Sequence, residues 1–183
     1  MIKNFLYFIF LLIFCHVASA SKKIQVAFLE FYNNGEIVSL EPGGRFGHVA
    51  ISYKNGWIHS FPPYEVGFTT DLERFGKLAE IIELDAPAAF SEEELINSIG
   101  KPTTLISEWH DNDTTYCSKF VGQIIGIPPM RNNWKAPIWQ QFPPEEYIEW
   151  GLSPDDIYNY LLELKNIKRF RFNSNSQCHK VLN

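Results

Sequence analysis

The residues in this chain best suited to acyl-transfer chemistry are one cysteine and two histidines, far apart in sequence. Cys117 lies in Thr115-Tyr116-Cys117-Ser118-Lys119-Phe120-Val121, which reads as the first turn of a helix. Unpaired N–H groups and the helix dipole favour a thiolate there, and the thiolate is the nucleophile. The same N–H groups can receive an oxyanion forming beside the sulfur. Such a thiol needs a base within hydrogen-bond reach in the fold, wherever it lies in the sequence.

His16 falls in the N-terminal apolar run, His179 in the tail, and His110 in Trp109-His110-Asp111 ahead of the helix. His48 and His59 lie on two predicted strands, and a strand is the rigid support a base requires. Reading Asn55-Gly56 as a two-residue hairpin turn pairs Ser52 with His59 and His48 with Pro63. That register puts His48, Ser52 and His59 on one face. It also sets the two imidazoles four residues apart, roughly 13 Å along the strands. Contact between them then needs a wider turn, a bulge or strong twist, so His48 is the favoured base. A cysteine on an apolar helix is more often a core residue, and a lone strand histidine is more often structural. The specific signal is their combination.

The elements that must hold these groups follow from the pattern. Lys23 to Phe31, Gly47 to Tyr53, Trp57 to Phe61, Leu78 to Leu84 and Lys168 to Phe172 read as strands. Ser91, with Glu94 three residues on, reads as a capping box for a helix stopped by Gly100 and Pro102. Thr114 or Thr115 is the expected cap of the Cys117 helix, which Gly126 and Pro128 close. Ser153-Pro154-Asp155-Asp156 opens a third helix, with a cap, proline at the first position and acids in the first turn. Pro128 to Pro144 reads as an irregular surface loop, and Trp134, Trp139, Phe142, Tyr147 and Trp150 make an aromatic-rich segment suited to cover the core or, as the alternative, to wall a substrate site. Residues 174–183 read as a disordered tail. The expected fold is α+β, an antiparallel sheet packed against helices, in one domain over residues 21–173.

A short cationic start, an apolar run from Phe5 to Val17 and Ala18-Ser19-Ala20 describe a secretory signal peptide over residues 1–20. The run is shorter than the roughly 20 residues of a membrane span. Of 183 residues, 163 then remain, with 21 acids against 15 bases and a net charge of −6. That balance gives no basic nucleic-acid face. Cys117 and Cys178 are the cysteines left, and export leaves a bridge between them open. Asp111-Asn112-Asp113 lacks the glycine and distal glutamate of a calcium loop. Asn112-Asp113-Thr114 is a glycosylation sequon, relevant only in a eukaryotic secretory route. Cys178-His179 is a bare pair, and no metal or organic cofactor is expected.

Gly47-His48-Val49-Ala50-Ile51, Trp57-Ile58-His59-Ser60 and Tyr116-Cys117-Ser118-Lys119-Phe120-Val121 resemble the motifs of NlpC-type cysteine peptidases. The order His, His, Cys resembles their circularly permuted branch, the YaeF/YiiX-type papain-like amidases and the lecithin:retinol acyltransferase-like proteins. Ser153-Pro154-Asp155-Asp156-Ile157 resembles a segment of the YiiX side. The likeness spans roughly residues 24–165. It implies a permuted papain-like fold with Cys117 as nucleophile, His48 as base and His59 as orienting residue. It also implies that Tyr116 and Ser118 line the oxyanion or substrate pocket. YiiX-like members often carry an acid where His59 stands, so this chain departs toward the acyltransferase-like pattern. The expected function is an exported, periplasmic or secreted thiol amidase or peptidase, acting on cell-wall peptides if the source is bacterial. The alternatives are an acyl-lipid hydrolase or acyltransferase, and a non-catalytic binding protein of the same fold.

Overall fold

The computed structural model describes residues 22–144, 147–173 and 178–181. The expected signal peptide lies outside them. Among the described residues, ten strands and three α-helices alternate unevenly, and every pairing between these strands is antiparallel. The strands are β1 (Lys23–Asn33), β2 (Glu36–Val38), β3 (His48–Tyr53), β4 (Gly56–Ser60), β5 (Val66–Thr69), β6 (Lys77–Asp85), β7 (Met130–Arg131), β8 (Trp150–Gly151), β9 (Lys168–Phe172) and β10 (Cys178–Val181). The helices are α1 (Glu92–Asn97), α2 (Cys117–Ile125) and α3 (Pro154–Leu162). The main sheet runs β10-β9-β6-β1-β3-β4-β5, with β2 paired to β1; β7 and β8 form a separate ribbon. This is the expected α+β architecture.

Alternation along the central strands sorts the sheet into two faces. Val26, Phe28, Val49, Ile51 and Ile58 pack with Cys117, Phe120, Val121 and Ile124 of α2 and with Ile157 and Leu161 of α3. Ala27, Leu29 and Ala50 turn the other way, onto Leu72, Trp57, Phe75 and Leu78. Phe28 is fully buried, and burial of a side chain that size stabilises the fold by about 2–3 kcal/mol.

The helix starts differ in how they are capped. Ser153 accepts the Asp156 N–H while Asp156 accepts the Ser153 N–H, a full capping box with Pro154 next. Ser91 accepts the Glu94 N–H, which is half of the expected box. Neither Thr114 nor Thr115 caps α2, whose cap residue is Tyr116 without a side-chain bond. The threonines are held elsewhere: Thr114 Oγ1 donates to Asp111, and the Thr115 backbone pairs with Pro102 and Thr104. The first N–H groups of α2 therefore have no side-chain cap.

Two expectations about edges fail. The tail read as disordered supplies β10, paired to β9 with His179 opposite Arg171. Its side chains stay mostly exposed, so no apolar alternation announced it. The hairpin turn is Lys54-Asn55, with Tyr53 opposite Gly56, not Asn55-Gly56. Gly56 belongs to the strand because a Cβ there would stand 2.5 Å from Phe68 Cζ and from the Thr69 carbonyl oxygen. Lys54 takes the positive φ, at 51°.

Candidate active site

That turn decides the geometry of the two histidines. Moving it one residue earlier shifts the register by two, so His59 continues opposite Ala50 and its offset from His48 halves. The imidazoles then meet: His48 Nε2 lies 2.9 Å from His59 Nδ1. Phe31 stacks on His48 at 6.2 Å between centroids, Phe61 meets it edge-on at 5.1 Å, and Phe75 meets His59 at 4.2 Å. Gly47 permits the stacking, since a Cβ there would stand 2.5 Å from Phe31 Cδ2. Burial in this aromatic wall, with His59 as a neighbour, holds the His48 pKa well below 6.5. Burial lowers His59 to about 4. Both rings are neutral at pH 7, and one donates to the other.

Cys117 is the first residue of α2, and its side chain turns to the helical side of the sheet. Burial pushes its thiol up to about 11, against hydrogen bonds from the Val49 N–H, the Ser118 hydroxyl and the N–H groups of Ser118 and Cys117. The expected thiolate stabilisation is thus present in kind but outweighed, because removing a thiolate from water costs more than these dipoles return. The resting sulfur is a protonated thiol.

The structure brings Cys117 to Val49, the residue that follows His48. Among the described residues, neither His48 ring nitrogen is hydrogen-bonded to the sulfur. Strand alternation starts His48 on the Leu29 side, away from α2. The β3–β4 ladder, however, ends at Ile51–Ile58, so beside His48 and His59 these two strands are not paired with each other, though β3 stays paired to β1 and β4 to β5. There the Cys117 sulfur takes the Val49 N–H.

Tyr116 and Ser118 grip one residue. Ser118 Oγ donates to the Leu152 carbonyl at 2.6 Å, and Tyr116 Oη accepts the Leu152 N–H at 3.3 Å. Both also line a cavity of about 40 Å³ with Glu41, Trp134, Trp139 and Leu152. The aromatics of the 128–144 segment thus divide their work. Trp139 Nε1 donates to the Leu40 carbonyl and Trp134 stacks on Tyr147, while both indoles face the cavity.

Three participants were not legible as such. Lys119 is fully buried, and its ammonium donates to Ser107 Oγ and to the carbonyls of Glu108, Asp111 and Thr114 at 2.5–3.1 Å, fastening the loop before the nucleophile. Burial brings its pKa down to about 8. Its place beside Cys117 in an apolar helix was the available signal. Glu41, raised to about 7 by burial and by Asp156 and Asp155, gave no signal in a loop of glycines. Asp155 was read only as a first-turn acid, and its second role is argued below.

Asp111 organises its own turn, accepting the Asp113 N–H at 2.7 Å and bonds from Ser107 and Thr114. Among the described residues no cluster of three His, Cys, Asp or Glu side chains is arranged to hold a metal ion. Cys117 and Cys178 are both free thiols, one buried and one exposed. Among the described residues no helix is long and apolar enough to cross a membrane. Comparison of the chain with protein-family models, with curated proteins and with solved structures found no match in any of the three.

Proposed function

We propose that this protein is an exported cysteine hydrolase of permuted papain-like type, an amidase or peptidase with Cys117 as nucleophile, His48 as base and His59 as orienting residue. One observation carries the reading: the 2.9 Å contact between His48 Nε2 and His59 Nδ1, with the sulfur at the first position of α2 against the next residue's N–H. With Nε2–H of His48 donating to His59 Nδ1, the free nitrogen of His48 is Nδ1, and it carries the lone pair that takes the thiol proton.

At rest both partners are neutral, so the ion pair forms as substrate enters. Proton transfer from Cys117 Sγ to His48 Nδ1 accompanies attack of sulfur on an amide, ester or thioester carbonyl. The tetrahedral oxyanion is received by the uncapped N–H groups at the start of α2. Collapse breaks the bond to the leaving group, which takes the proton from His48. Water then attacks the thioester, gives its proton to His48, and frees the acid and the thiol. The transfer requires a small shift of the β3 and β4 ends onto α2; no β3–β4 ladder bond opposes it there, while β3 stays paired to β1 at His48 and β4 to β5 at His59.

Modification of Cys117 by an electrophilic thiol probe tests the reading. It should be fast in the native chain and fall sharply in His48→Ala; equal labelling of both counts against His48. An acyl-lipid hydrolase or acyltransferase is the second reading, favoured by an imidazole rather than an acid at position 59. Turnover of a lipid ester but not of peptidoglycan fragments would select it.

A further inference from the structure

Asp155 lies in the first turn of α3, yet its carboxylate serves another part of the chain. Oδ1 accepts the Arg45 N–H at 2.9 Å and Oδ2 accepts the Phe46 N–H at 3.1 Å, across 110 and 109 residues of sequence. Those two N–H groups immediately precede Gly47-His48. The residue is 8% exposed, and burial raises its pKa, a cost that its own helix does not require because Asp156 completes the capping box. The loop is shaped to the carboxylate, for a Cβ on Gly44 would stand 2.7 Å from Asp155 Oδ2. From the other side the Gly47 N–H donates to the Leu29 carbonyl at 2.9 Å. Gly44 to Gly47 is therefore held between α3 and β1 at the entrance to the candidate base.

We propose that Asp155 is a positioning residue for His48, fixing through two backbone hydrogen bonds the loop that delivers the imidazole to Cys117. The proposal rests on the Cys117–His48 reading. It explains why an acid at the second helical position is buried rather than solvated. A fixed approach matters because misplacing a reacting group by an ångström can cost about a hundredfold in rate.

The test is a double-mutant cycle on the full chain, with iodoacetamide as the probe of Cys117 and circular dichroism as the check of folding. Asp155→Ala is expected to slow alkylation about tenfold in the native background and less than about twofold in His48→Ala, since a residue acting through another has no effect once that one is gone. Its pH profile should collapse onto the single late thiol titration of His48→Ala. An equal fall in both backgrounds, or none in either, overturns the proposal. If His48→Ala alone leaves labelling unchanged, the Cys–His reading fails first and this inference falls with it. Gly44→Ala supplies the same comparison should Asp155→Ala not fold, since it displaces the carboxylate while leaving α3 intact. Full native labelling in a folded Gly44→Ala would likewise overturn the clamp.

Discussion

Two buried polar clusters share the central sheet, and they solve the problem of burial in opposite ways. Around Glu80, fully buried on β6, Arg45, Arg169 and Arg171 and the Tyr158 hydroxyl converge within 3.1 Å. Burial alone would raise the Glu80 pKa, but the hydrogen bonds from Arg169, Arg45 and Tyr158 and the Arg171 charge outweigh it and hold it below 4.5. This cluster stays ionised. Burial keeps the His48–His59 pair neutral, and among the described residues neither ring forms an ion pair. An ionised network with every carboxylate oxygen engaged is fixed in one state. A neutral imidazole pair keeps one basic nitrogen to spend on a proton, which is what a base requires.

The largest effect that separates the clusters is on chemistry. His48→Ala should lower turnover of a peptide or ester substrate about a thousandfold, within the span of general-base contributions, and the cavity it leaves in the aromatic wall should cost about 2 kcal/mol besides. Glu80→Ala should act on stability alone. Removing the carboxylate leaves cations without a partner and costs about 3 kcal/mol, read by denaturant unfolding, with Cys117 alkylation little changed. Reversal of either pair of outcomes would break the distinction.

Acid titration sharpens the distinction further. The folded His pKa values are depressed, so the unfolded chain binds more protons below 6.5 and stability falls from pH 6.5 toward about 4. The Glu80 pKa is also depressed, but from 4.5, so its contribution is present above 4.5 and is lost only below that. Two limbs are expected in stability against pH. His59→Phe should remove its share of the upper limb, roughly 2–3 kcal/mol, and Glu80→Gln its share of the lower one, to which Glu30, Glu83 and Asp111 also contribute. An upper limb unchanged in His59→Phe would deny the neutral state of the imidazoles.

Much of this contrast was visible in the sequence, and what was hidden has physical causes. Long apolar runs such as Lys23 to Phe31 and Leu78 to Leu84 announce central strands, because burial on both faces needs apolar residues at successive positions. Ser153-Pro154-Asp155-Asp156 announces α3 through local capping. Placing Cys117 at the first turn of α2 needed only the helix pattern. The register of the histidines turns on Gly56, which lies in the strand opposite Tyr53 and not in the turn that Asn55-Gly56 suggests. Glycine in a turn and glycine under a neighbouring strand look alike until Phe68 and Thr69 are in place. Asp155 could not be assigned to His48, since its partners are backbone N–H groups a hundred residues away and leave no mark on side-chain pattern. The short edges β5, β7, β8 and β10 carry too few buried positions to show a period.

Each cluster also keeps one polar atom without a partner among the described residues, Ser60 Oγ beside the histidines and Arg169 Nε beside Glu80. Arg169 offsets its loss through the bonds its Nη2 makes to Glu80 and Tyr158. Ser60 is fully buried and two residues beyond Ile58, so its hydroxyl shares the helical side with Ile58, Val49 and the sulfur. Leaving a buried hydroxyl unmade costs about 1 kcal/mol or more, so Ser60→Ala should stabilise the fold by about that much in thermal denaturation. If the hydroxyl serves the sulfur once the strand ends close, the same substitution slows Cys117 alkylation while raising the melting temperature. A stabilised protein with unchanged alkylation would make Ser60 a packing residue and confine the chemistry to the three side chains already named.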